Sequence, residues 1–197
     1  CWACGTFIWR HGSEKIFLIV FNILIIPLII LISYIYFSDN VINKISFLIT
    51  SSGYLALIYL SLVLLIPFLR KKNLRYKARD FGIATFYLSL IHFLIYILDN
   101  SLDLEILLDD LLLRNYIISG YLALLLFVPM YMTSFSYFQR LYPHWRKIHK
   151  IVYLIYFFIL AHIYFIIKAD YLYLFIFIML FSITIIFKIF KQKEMNE

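Results

Sequence analysis

The sequence predicts an all-α integral membrane bundle of six transmembrane helices, with both termini in the cytoplasm. Three observations carry that expectation. Hydrophobic residues make up 64% of the chain and the mean hydropathy is +0.92, whereas a soluble domain is about 45–50% apolar. Six segments reach or approach the roughly 20 apolar residues that cross a hydrocarbon core. The basic residues are distributed unequally between alternate loops, as they are in membrane proteins of fixed orientation.

The elements follow in chain order. Residues 1–16 form a cytoplasmic N-terminal segment that opens with CWAC. Cys1 and Cys4 have the spacing of a redox pair or half a metal site, but a single pair at a frayed terminus is read as structurally incidental. The first span, 17–37, is too long for a signal-peptide core and no small-residue cleavage site follows it, so it is expected to be retained. The second, 47–69, leads into the basic run RKKNLRYKAR, and the third, 81–98, carries His92. Next comes NSLDLEILLDDLLLR, in which leucines and acids alternate at helical spacing. Ser101 is the expected N-cap there, with Asp103 and Glu105 in the first turn, where the helix dipole favours them. This segment predicts a short helix lying on the outer surface, apolar side down. Spans four to six are 116–138, 148–167 and 171–190, and 191–197 is a cytoplasmic tail. Residues 17–190 thus form one membrane domain with too few loop residues for a second. None of the segments shows the alternating polarity of barrel strands.

Orientation follows from the 18 basic residues. One face takes Arg10, Lys15, the six of the Arg70–Arg79 run, Arg140, Arg146, Lys147, Lys150, Lys188, Lys191 and Lys193. The other face takes only Lys44, Arg114 and Lys168. The basic-rich face is therefore cytoplasmic, and the net charge of +7 is a topology signal. No nucleic-acid partner is expected, because no nucleic-acid-binding fold accompanies the basic run. The five scattered glycines exclude a GxGxxG or P-loop phosphate cradle.

Chemistry is expected at the histidines. His11 and His144 fall in polar flanks, whereas His92, His149 and His162 lie within spans. Ionisable residues at membrane depth are costly and mark sites; the competing reading is a hydrogen bond between helices. At 1.5 Å per residue, His92 and His162 sit ~16 and ~21 Å from the basic face, on helices running the same way, and His149 sits ~2 Å from it. Neutral imidazoles at one level inside a bundle can ligate a haem iron. Two such ligands fill the axial positions and favour electron transfer over oxygen chemistry. His149 marks a second level with no histidine opposite it on span three. It also lies about 140° around an ideal helix from His162, so a shared groove would require local rewinding. Pro27, Pro67 and Pro129 are read as tolerated kinks, most tyrosines as core or interfacial residues, and Arg79, Arg114 and Lys168 as helix-end anchors or cations for haem propionates.

Several stretches also resemble the ferric-reductase-like transmembrane domain family. They are SSGYLALIYLSLVLLIPFLR, FGIATFYLSLIHFLIYILD, RNYIISGYLAL and MTSFSYFQRLYPHWRKIHKIVYLIYFFILAHIYFIIK, which together span roughly residues 50–168. Within the family the likeness is greatest to haem-binding membrane subunits of bacterial methionine-sulfoxide reductase systems. The resemblance implies haem b, one or two per chain, with FMN as a further candidate cofactor. It implies electrons from quinol or a cytosolic flavin reductase, passed through a bacterial inner-membrane protein surrounded by lipid. The acceptor would be a periplasmic molybdopterin enzyme that repairs oxidised methionine. It carries over His92, His149 and His162 as haem ligands and raises Trp145 as a cofactor-binding residue, a role for which Arg79 is a candidate by its charge.

Two rival readings are a proton-coupled transporter using the histidines as a relay and a structural anchor. Transporters show internal repeats or broken helices in corresponding halves, and neither is expected in this sequence.

Overall fold

The computed structural model describes residues 23–38, 41–69, 72–168 and 171–194. Every regular element among them is helical: α1 (Ile23–Phe37), α2 (Lys44–Leu65), α3 (Lys72–Asp99), α4 (Leu104–Leu113), α5 (Asn115–Met132), α6 (Ser136–Leu141), α7 (Trp145–Ile148), α8 (Val152–Ile166) and α9 (Leu172–Glu194). The N-terminal segment, with Cys1, Cys4 and His11, lies outside the described residues, as do residues 17–22 of the first expected span and residues 195–197 of the tail.

Five helical stretches are long and apolar enough to cross a membrane: Lys44–Phe68, Ala78–Asp99, Asn115–Met132, Trp145–Ile166 and Leu172–Phe190. They match expected spans two to six. The described part of α1 is apolar but shorter than a span, so length and composition support five crossings among the described residues where the sequence predicts six. Large apolar side chains such as Leu125, Phe175, Phe187 and Phe190 are exposed. A soluble protein does not leave so much contiguous apolar surface open to water; lipid covers it. The chain is a multi-pass membrane protein.

Helix ends depart from the sequence reading in instructive ways. Much of the basic run is helical, because α3 begins at Lys72, and α9 runs on to Glu194 into the expected tail. Lysine, glutamine and glutamate are good helix formers, so these helices continue past the apolar stretch. The cap of α4 is Asp103, not Ser101. Ser101 and Leu102 have positive φ (56° and 59°) and form the turn that ends α3, with the Leu102 amide donating to the Ile97 carbonyl at 3.2 Å. The Asp103 carboxylate instead accepts from the amides of Glu105 (2.9 Å) and Ile106 (3.4 Å). Ser101 is consumed by the turn, and the next short polar side chain takes the cap.

The core is a layer of apolar side chains between α2, α3, α5 and α8, including Leu57, Leu60, Phe86, Phe127, Ile155 and Leu160. Polar contacts fix the helices relative to one another. The Ser61 and Tyr156 hydroxyls lie 2.9 Å apart across α2 and α8, and the Tyr156 ring stacks on Phe181 of α9 at 4.8 Å. Tyr59 donates to the Ile23 carbonyl at 2.7 Å, tying α1 to α2. Such bonds between helices contribute about 0.6 kcal/mol each in a membrane protein, so packing supplies most of the stability and the bonds set the register.

Candidate functional site

The helices pair: α2 packs chiefly against α3, and α5 against α8. A cavity of about 280 Å³ lies between the pairs. His92 on α3 and His162 on α8 both line it, their ring centres 6.2 Å apart and their planes crossed at 84°. The structure thus brings together the two histidines that the depth calculation places at one level.

Each ring is positioned by the neighbouring helix of its pair. His92 Nδ1 lies 2.9 Å from the Ile49 carbonyl on α2, and His162 Nδ1 lies 2.6 Å from the Tyr116 carbonyl on α5. A carbonyl can only accept, so each Nδ1 carries the proton and each Nε2 keeps a bare lone pair. That is the tautomer a metal ligand needs, and the hydrogen bond raises its basicity. Two imidazoles bonded to one ion at 2.0–2.1 Å have ring centres ~6.4 Å apart, close to the observed 6.2 Å. Among the described residues no group of three or more His, Cys, Asp or Glu could hold an ion. A site with two protein ligands suits a metal that brings its own equatorial donors, as haem does. The apolar lining, with Leu57, Phe127, Ile159 and Ile163, suits a flat macrocycle.

The structure also exposes a signal the sequence reading passed over. The hexapeptide SGYLAL occurs at 52–57 on α2 and again at 119–124 on α5, contrary to the expectation of no internal repeat. Its two copies do the same work. Ser52 donates to Ile49 O and Ser119 to Tyr116 O, both at 2.9 Å, the same carbonyls that hold the histidines. A Cβ built on Gly53 would meet His92 Cε1 at 3.1 Å, and one on Gly120 would meet His162 Nδ1 at 3.0 Å. In each pair the glycine gives the ring room to lie against the opposite backbone. The site is therefore two similar half-sites facing each other, and Gly53 and Gly120 belong to it as much as the histidines do.

Tyr96 and Tyr116 line the cavity wall, and a polar chain runs behind them. Tyr96 donates to Asp110 Oδ2 at 2.7 Å, Arg114 Nε pairs with Asp110 Oδ1 at 2.9 Å, and Arg114 Nη1 donates to the Tyr116 hydroxyl at 2.8 Å. Asp110 is only 6% exposed, and a buried carboxylate needs such partners. Arg114 is thus already engaged in this chain. Lys168 does not line the cavity.

His149 lies elsewhere, ~20 Å along the helix from His162. Its Nε2 is 3.2 Å from Thr133 Oγ1, and the Trp145 ring meets it edge-on at 5.4 Å. Residues His149–Ile151 form a 3-10 turn ahead of α8. At about 120° per residue instead of 100°, three such steps reduce the angular offset from His162 from about 140° to about 80°. The turn brings His149 part of the way toward the His162 face. No ring contact joins His149 to a second histidine among the described residues. Arg79 stands on α3 away from the cavity, with Nε 3.8 Å from Asp80 Oδ1. Trp145 is in place beside His149, with the Arg146 guanidinium 5.4 Å over its ring.

Residues 52–160, more than half of the chain, match the family described as ferric reductase like transmembrane component. The chain belongs to that family. The family match takes in both SGYLAL copies, His92 and His149, and ends two residues before His162. This ferric-reductase-like chain is 36% identical over 108 residues to the protein-methionine-sulfoxide reductase heme-binding subunit MsrQ of Brucella ovis, and equally to those of Brucella suis and Brucella abortus. The alignment covers 52% of this chain and 49% of each relative. The chain thus spans about half the length of the curated relatives it matches. No solved structure matches it.

Proposed function

We propose that this chain is a haem b-containing electron-transfer subunit of the bacterial inner membrane. It passes electrons from quinol or a cytosolic flavin reductase to a periplasmic molybdopterin methionine-sulfoxide reductase of the MsrP kind, which repairs oxidised proteins. The observation that carries the reading is the opposition of His92 and His162, each protonated at Nδ1 and open at Nε2. When bound, haem would supply a one-electron couple, and His92 and His162 are the residues that would hold it.

The chain's own residues do the rest. His92 and His162 would hold the group, and the Ile49 and Tyr116 carbonyls keep the ligating tautomer. The apolar walls exclude water, and the Asp110–Arg114 pair backs the two tyrosines of the wall. His149, whose Nε2 lies against Thr133 Oγ1, would supply a ligand through Nδ1 at a second level near the cytoplasmic face, where Arg79 would offer a cation to an acidic cofactor group. A proton-coupled transporter would need histidines free to exchange protons at both ring nitrogens. The two carbonyl bonds at the cavity tie up one nitrogen of each ring, which favours the ligand reading.

Purified protein from haem-replete cells is expected to show the reduced-minus-oxidised spectrum of a low-spin b-type haem, developed by quinol or by a flavin reductase. A colourless, folded preparation would overturn the reading. Orientation has its own test. A reporter fused after Glu197 is expected in the cytoplasm and a tag near Glu105 outside, from the distribution of basic residues. A C-terminus found outside would reverse the direction of electron flow.

A further inference from the structure

At the end of the bundle away from the histidine pair, two cations converge where two would be expected to spread apart. Lys150, in the turn before α8, and Lys188, on α9, line one surface cavity together with Tyr153, Ile185 and Ile189. Lys188 belongs to an apolar span, Leu172–Phe190. A lysine near the end of a span normally extends its ammonium group to water. This one instead lies over the Tyr153 ring, with Nζ 3.7 Å from the ring centre, beside the cavity it shares with Lys150. No acidic side chain lines the cavity, and neither lysine forms a salt bridge among the described residues. Two like charges held together without a counter-ion form a site for an anion.

We propose that this cavity binds the phosphate headgroup of an anionic phospholipid, its acyl chains running along α8 and α9. The commitment to a lipid rests on the surroundings. Toward the middle of the membrane, the faces of α8 and α9 that line the cavity continue with the exposed apolar side chains Phe157 and Ile178. The opening therefore lies at the border between a basic headgroup level and an acyl-chain surface. Basic pockets between membrane helices bind anionic headgroups by this combination. The ligand also removes the cost of holding Lys150 and Lys188 together, and so joins the turn at His149–Ile151 to α9. The site is independent of the haem reading, since none of its residues lines the histidine cavity.

The test is native mass spectrometry of the detergent-solubilised full chain with phosphatidylglycerol, with phosphatidylcholine of the same acyl chains, and with inorganic phosphate as competitor. The wild type is expected to retain phosphatidylglycerol roughly 10–30-fold better than phosphatidylcholine, the attraction of two lysines for one headgroup. Inorganic phosphate should not displace it. Lys150→Gln with Lys188→Gln should abolish the preference, and Lys150→Arg with Lys188→Arg should keep it. Equal retention of the two lipids, or a preference that survives the double glutamine change, would overturn the proposal. Displacement by inorganic phosphate would overturn it too, marking a free-anion site. If the glutamine protein fails to fold, loss of the preference in the arginine protein would count against the proposal, because arginine keeps both charges.

Discussion

His92→Ala and His162→Ala are each expected to abolish the same haem spectrum, and the double change is expected to add almost nothing. Both side chains line one cavity with ring centres 6.2 Å apart, so in the proposed site they act on one ion. Ligands of one metal behave as a unit, and their effects do not add. Loss of a supporting hydrogen bond alone lowers metal affinity by 10–100-fold, so loss of a ligand should lower haem occupancy by at least about that factor. His149→Ala should spare this component, because His149 is held by Thr133 and Trp145 at another level. It should still interrupt electron flow from the cytoplasmic side. Haem content and difference spectra of the three single variants and the double check all of this. If His92→Ala and His149→Ala remove the same haem, the pairing is wrong.

The second large effect is expected at glycines that make no bond to any cofactor. Gly53→Val and Gly120→Val place branched side chains where a bare Cβ already meets the His92 and His162 rings at 3.0–3.2 Å. Each ring must leave its carbonyl, the Nδ1 hydrogen bond breaks, and Nε2 no longer points across the cavity. Both variants should lose haem about 10–100-fold, and by similar amounts, because the two half-sites are alike. Gly82 supplies the control. A Cβ there meets only Val63 Cγ2 at 3.9 Å, an ordinary contact. Alanine in a helix interior is favoured over glycine by roughly 0.5–1 kcal/mol, so Gly82→Ala should leave haem unchanged and stability equal or slightly higher. Haem retention on heating separates these outcomes. Equal haem loss in the Gly82 and Gly53 variants would show that the glycines serve packing in general.

Much of this site could be read from the sequence, for physical reasons that differ by residue. Helices spanning lipid must satisfy their own backbone, so depth follows from counting, and counting placed His92 and His162 at one level. The start of α4 could not be found this way. Ser101 and Asp103 are both good capping residues, and only the turn that closes α3 decides between them. Counting around an ideal helix also misplaced His149, because three residues of 3-10 turn change the angle. The glycine seats were legible in principle, since SGYLAL stands twice in the chain. Its meaning appears only when each copy is seen to hold one histidine. The Lys150–Lys188 convergence had no sequence signal, because residues so far apart meet only through the packing of α9 on α8.

Electron paramagnetic resonance of the oxidised His149→Ala protein tests most directly whether His92 and His162 are the two axial ligands of one iron. Removing His149 leaves the upper site as the source of signal. Two imidazole planes crossed at 84° are expected to give a low-spin ferric signal of high anisotropy, which His92→Ala or His162→Ala would then convert or abolish. A high-spin signal from a five-coordinate iron, or a low-spin signal that survives both His92→Ala and His162→Ala, would contradict the assignment.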